Sequence, residues 1–132
     1  MKEQFSGATL AYLGDAVIEL WVRELFVSLG LTHPSVCSKE ALLFVTAKSQ
    51  SEAYEKIKDM LTEEEDDVFR RGRNAHVSVP KSASHKDYHR ATGFEALTAA
   101  LHLEGRRERI DELFFIAYKD KIDDLKERHD IK

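Results

Sequence analysis

At 132 residues, 42% hydrophobic and 33% charged with only two prolines, the chain has the size and make-up of one compact folded domain rather than a disordered or collagen-like one. No apolar run reaches the roughly 18 residues of a membrane span, because Asp15, Glu19, Arg23 and Glu24 interrupt the longest one, and MKEQFSGAT carries no apolar signal core, so a cytoplasmic protein is expected. The single cysteine, Cys37, excludes an internal disulfide or a cysteine-rich zinc site, and the net charge of -4 argues against indiscriminate nucleic-acid binding.

Apolar residues recur at helical spacing throughout, and no stretch alternates as a strand does, which predicts an all-α fold. A first helix is predicted over about Thr9 to Leu29, stopped by Gly30. Thr32-His33-Pro34-Ser35 restarts the chain, with Pro34 suited to a first turn. The next helical stretch reaches Met60, with a break near Ala47 to Ser49 where weak helix formers cluster. Thr62-Glu63-Glu64-Glu65 reads as a capping box, and its acids as helix-start chemistry rather than metal ligands. That helix is expected to fade at RRGRNA, since Gly72 and Asn74 are poor interior residues. HVSVPKSASH, residues 76 to 85, reads as a loop. A helix over about Asp87 to Leu103 follows, ending at Gly105, and a single last helix over about Arg107 to Arg128.

Two of these helices pose a question. The first is apolar on nearly all sides from Leu10 to Val22, which predicts a central helix, yet Asp15 and Glu19 lie on one of its faces. Burying an unpaired carboxylate is expensive. One resolution is structural: Glu19 pairs with Arg23 four residues on, and Asp15 accepts a hydrogen bond from a neighbouring helix. The other is chemical. ATGFEALTAALHL, residues 91 to 103, also carries one isolated acid, Glu95, and two such helices can share a hard divalent cation. Mg²⁺ suits so few carboxylates because it keeps several waters, and it supports phosphodiester hydrolysis.

Net charge is unevenly placed. From Arg70 to Arg90 the chain carries +5, leaving -9 elsewhere, the pattern of a local anion-binding face. Arg71, Arg73, Asn74, Lys81, Lys86 and Arg90 are the candidate contacts to a polyphosphate backbone, RNA in the family reading below, arginine through its planar fork and lysine as a point charge. Arg70 has the alternative of pairing with Asp66, four residues earlier. His85 and His89 have the spacing of two helix ligands but no strong third ligand nearby, so exposed loop histidines near the bound polyphosphate are expected rather than zinc.

The motifs LAYLGD (Leu10 to Asp15) with Ala16-Val17-Ile18-Glu19, and Phe94-Glu95-Ala96-Leu97, resemble the two catalytic segments of ribonuclease III. Ala47-Lys48-Ser49-Gln50, Arg71-Gly72-Arg73-Asn74-Ala75 and Tyr88 with Ala91-Thr92 are similar to Mini-ribonuclease III, the branch with a catalytic domain and no double-stranded-RNA-binding domain. The resemblance implies a single ribonuclease III-like helical domain over residues 1 to 132, acting as a homodimer. It implies Mg²⁺-dependent endonucleolytic cleavage of double-stranded RNA, leaving 5′-phosphate ends. In that branch the substrate is the precursor 23S ribosomal RNA stalk, and a ribosomal protein assisting substrate folding is a further possible partner. Asp15 and Glu95 fall on catalytic, metal-binding positions and Tyr12 on an aromatic position of the dimer interface. Glu19 and Thr92 are candidates for steadying the metal's waters. Ala8, Ala11 and Thr92 stand where full-length ribonuclease III has acids, which motivates an alternative: a weak or inactive module of this fold that binds ribosomal RNA.

Overall fold

The computed structural model describes residues 5–132, and among them there are helices and connecting turns but no strand. The helices are α1 (Gly7–Ser28), α2 (Pro34–Val45), α3 (Ala47–Ile57) with a 3-10 turn at Lys58–Met60, α4 (Glu63–Arg73), α5 (His85–Leu103), α6 (Arg107–Ala117) and α7 (Lys119–Arg128). Side-chain caps start several of them: Ser6 accepts from the Thr9 N–H, Thr46 from Ser49 and Ser84 from Asp87. Thr62 and Glu65 form the predicted reciprocal capping box. Among the described residues, no helix is long and apolar enough to cross a membrane.

The central helix is α5, with α1, α3, α4 and α6 packed around it. From Ala91 to Leu101 every residue is buried except Glu95, which is half-buried. Such all-round burial explains why that stretch shows no polar face. The expectation that α1 is equally central is corrected: its one face packs on α5, while Tyr12, Ala16, Leu20 and Val27 are exposed on the other. α4 ends at Arg73 with Asn74 as its C-cap, within the RRGRNA stretch where it is expected to fade, and Gly72 stands in its last turn. Gly72 is buried there, where a Cβ would stand 2.6 Å from the Ala96 Cβ and 2.8 Å from the Thr92 carbonyl oxygen. Its missing side chain lets α4 and α5 approach closely, and packing overrides propensity.

The predicted final helix is two helices. The chain breaks at Tyr118 (φ -107, ψ 9), whose fully buried ring joins Trp21, Phe44, Phe94 and Phe114 in the aromatic core. No sequence signal marks the break, because Phe114, Tyr118, Ile122 and Leu125 continue at helical spacing across it. The turn carries α7 back to α2, where Glu40 accepts from Arg128 Nη1 at 2.6 Å and lies 2.8 Å from His129 Nε2. Tyr118 Oη donates to the Phe44 carbonyl oxygen at 3.0 Å. Tyr118→Phe is expected to lower stability by about 1–2 kcal/mol in chemical denaturation, because a buried acceptor loses its donor.

Candidate active site

Helix α1 crosses α5 at Gly14, where a Cβ would fall 1.8 Å from the Glu95 carbonyl oxygen. Only glycine lets the two backbones meet so closely, and the next residue, Asp15, is thereby set beside Glu95. The carboxyl of Glu95 lies within hydrogen-bonding reach of Asp15 and of the Gln50 amide. Together with Ala8, Ala11, Tyr12, Val45, Ala47, Val77, Tyr88, Ala91 and Thr92, these three line a cleft of about 400 Å³.

Asp15 itself is exposed, which corrects the expectation that it is buried. The cost falls on Glu95. Desolvation pushes its carboxyl up to about 8, the Asp15 hydrogen bond and negative charge add to the shift, and the Gln50 hydrogen bond opposes it. No cationic side chain pairs with either acid among the described residues. The folded protein therefore holds a proton on Glu95 between its ordinary value of 4.5 and about 8, where the unfolded chain does not. Stability then falls as pH rises through that window and levels off above it. Melting curves of the metal-free parent and of Glu95→Gln from pH 5 to 8.5 should diverge, the parent losing on the order of 3 kcal/mol relative to the variant.

The Ribonuclease III domain family matches residues 8–106. The chain belongs to the ribonuclease III family. It is 43% identical to the Mini-ribonuclease 3 of Enterococcus faecalis over 114 residues, 84% of this chain and 86% of that protein. The Mini-ribonuclease 3 of Symbiobacterium thermophilum is 44% identical over 106 residues, 80% and 82% of the two chains. A crystal structure of a Fusobacterium nucleatum protein superposes with a TM-score of 0.83 at 32% identity, covering 93% of this chain and 95% of that one. These relatives place the protein in the Mini-ribonuclease 3 branch, and it is an endoribonuclease.

In this ribonuclease the predicted site residues divide. Asp15, Glu95 and Thr92 come together in the cleft. Thr92 is buried, and its hydroxyl donates to the Tyr88 carbonyl oxygen at 2.9 Å. Glu19 does not join them. Its Oε2 lies 3.4 Å from Arg23 Nη2, and it lines a separate apolar groove between α1 and α2. One helical turn carries it along α1 away from the α5 crossing, so the alternative of simple pairing describes it.

The basic residues divide too. Arg90 is nearly buried, ion-paired to Glu55 and set 4.9 Å above the Tyr54 ring. Arg71 Nη1 donates to the Phe5 carbonyl oxygen at 3.1 Å, bracing the start of α1. Arg70 Nε donates to Asp66 at 2.8 Å, its structural alternative. Arg73, Asn74, Lys81 and Lys86 are exposed, and none forms an ion pair with a carboxylate among the described residues. His85 and His89 stand in the first turns of α5 rather than in a loop, with ring centroids 6.1 Å apart. No group of three histidine, cysteine or acidic side chains among the described residues is arranged to hold a metal.

Gln50 is the residue that sequence reasoning left without a role. It is 1% exposed, and its Nε2 donates to the Val45 carbonyl oxygen at 3.3 Å as well as holding Glu95. An amide on the buried stripe of α3, with Ala53 and Ile57, was its available signal.

Proposed function

We propose that the protein cleaves double-stranded RNA with Mg²⁺ at Asp15 and Glu95, working as a homodimer in the cytoplasm to mature the ends of the 23S ribosomal RNA precursor. The observation that carries this reading is the pair of adjacent carboxylates in one cleft without a cation of their own among the described residues, the carboxyl of Glu95 being pushed up to about 8 by burial and by Asp15. Such a pair fits a hard divalent ion, which would displace the Glu95 proton and take its remaining ligands from water and substrate phosphate. Bound there, Mg²⁺ would supply Lewis acidity to the scissile phosphodiester.

The chain's own part is positional. Gly14 sets the spacing of the acids, and Gln50 orients Glu95. Arg73, Asn74, Lys81 and Lys86 offer donors to the backbone phosphates, while Arg71 and Arg90 hold α4 and α5 in place. Contacts of this kind read A-form shape with little sequence preference. Tyr12, 85% exposed at the mouth of the cleft, continues into the apolar stripe of Ala16, Leu20 and Val27 on α1. An apolar stripe of this extent favours a second copy of the chain as its partner.

A second reading, a binding module without cleavage, draws on the small residues Ala8, Ala11 and Thr92 in the cleft wall, which leave two acids to hold metal. Incubation of the purified protein with a precursor 23S stalk, with and without Mg²⁺, followed by end mapping separates the two. Cuts with 5′-phosphate ends only in Mg²⁺ support the nuclease. Bound but intact RNA in Mg²⁺ supports the module. Sedimentation of the parent and Tyr12→Ala tests the dimer, which a monomeric parent would exclude.

A further inference from the structure

Tyr88, Ala91, Thr92 and Glu95 recur at helical spacing down one face of α5, and all four line the catalytic cleft. Three of them are accounted for. Glu95 faces Asp15 and Gln50, the Thr92 hydroxyl is spent on a backbone carbonyl, and Ala91 supplies only a methyl. Tyr88 is half-buried, and its hydroxyl makes no hydrogen bond among the described residues.

The cleft offers a substrate few other groups. The Gln50 amide is turned to Glu95 and to the Val45 carbonyl oxygen, and Tyr12 stands far out at the mouth. The rest of the wall is alanine and valine, and no lysine or arginine lines it. With the two acids given to a metal, Tyr88 is the neutral side chain of the inner wall left free both to donate and to accept.

The backbone that carries Tyr88 is held in place. Its N–H donates to the Ser84 carbonyl oxygen at 3.0 Å, and its own carbonyl accepts from Thr92 at 2.9 Å. Two residues on, the Arg90 ion pair with Glu55 ties this turn of α5 to α3. A hydroxyl on so fixed a turn loses little freedom when a substrate arrives. Seven residues separate Tyr88 from Glu95, two turns and about 10 Å along the helix. The phenol therefore stands against a neighbour of the reacting phosphate and not against that phosphate itself.

The chemistry of the wall selects which part of that neighbour it meets. Phosphate is best matched by cationic donors, and the inner wall has none. A sugar hydroxyl is matched by one group that both donates and accepts, as a phenol does. In A-form RNA the 2′-hydroxyls lie along the wide, shallow minor groove, and they distinguish RNA from DNA at a given site. We infer that the Tyr88 hydroxyl takes the 2′-hydroxyl of a ribose flanking the scissile phosphate, so that the cleft selects ribose over deoxyribose at that position. The inference rests on the nuclease reading and names the side chain that reads the sugar.

The test is single-turnover cleavage in Mg²⁺ by the full chain, at subsaturating enzyme, of a paired RNA in which one ribose at a time along the cut strand is made 2′-deoxy or 2′-fluoro. The fluoro sugar lacks the O–H but keeps the ribose pucker, so a penalty common to both belongs to the hydroxyl. In the parent, one ribose beside the cut should cost about fivefold in rate, the worth of one neutral hydrogen bond. Tyr88→Phe, which keeps the ring, should lose about fivefold on unmodified RNA. Substitution at that one ribose should then cost the variant nothing more, while the penalties at other riboses stay as in the parent. Circular dichroism and melting check that the variant folds.

A penalty profile identical in parent and Tyr88→Phe would overturn the sugar contact and leave the nuclease reading standing, even if the variant were slower on every substrate. A parent profile with no penalty beside the cut would do the same. Parent protein that leaves every paired RNA intact in Mg²⁺ would overturn both.

Discussion

Asp15→Asn and Glu95→Gln should each reduce Mg²⁺-dependent cleavage of a paired RNA by about 10³-fold or more, since the charge stabilisation an ion supplies at a phosphodiester is worth several kcal/mol. The two variants should part company in stability. Glu95 is desolvated and faces a like charge, so replacing it with a neutral amide removes a penalty, and the metal-free Glu95→Gln protein should melt higher than the parent at pH 8. Asp15 is exposed, and its replacement relieves Glu95 only through the lost repulsion. Titration of Mg²⁺ into the parent should release a proton near pH 7 and raise its melting temperature. The same titration should do little to either variant. Full cleavage by either one would remove that residue from the site.

Much of this arrangement is legible in the sequence because it is carried by local pattern. The capping box at Thr62 and Glu65, the restart at Pro34 and the loop before His85 all follow from short-range chemistry, and the structure has them. The nearness of Asp15 to Glu95 is legible for a different reason: Glu95 is the lone acid of its apolar stretch and Asp15 one of two in its own, and acids in such surroundings ask for a partner. What is not legible depends on which faces meet. Apolar periodicity cannot distinguish a face packed on the core from one left exposed, so α1 reads as central although Tyr12 and Leu20 are exposed. Arginines at 71, 73 and 90 look alike along the chain. Only the fold separates Arg90, which is closed over Tyr54 and Glu55, from Arg73, which is exposed.

The division among those arginines bears on how the site reads RNA. Between Arg70 and Arg90, the exposed cations without a carboxylate partner among the described residues are Arg73, Lys81 and Lys86, and three phosphate contacts would give a modest salt dependence compared with proteins that make six or more. Arg71 and Arg90 should instead report on folding. Their loss would loosen the frame that holds α5 against α1 and α3, because each braces one of its neighbours.

Gly14→Ala should be the most damaging single-methyl change in the protein. Helix propensity alone favours alanine by about 1 kcal/mol. Sterics oppose it, because the new Cβ would fall 1.8 Å from the Glu95 carbonyl oxygen and 2.5 Å from its carbon. Both are backbone atoms of the central helix, which cannot turn aside as a side chain would. Relief requires α1 and α5 to part by more than about 1 Å, reopening the most extensive helix contact of the fold. The steric term wins, and a net loss of about 3 kcal/mol or more is expected in urea denaturation. Activity should fall further than stability accounts for. Parting the helices moves Asp15 away from Glu95, and a displacement of that size at reacting groups costs about 10²-fold. The measurement is cleavage at a temperature where the variant is fully folded. Parent-like cleavage there would show that the Gly14 contact sets stability alone and leaves the geometry of the acids untouched.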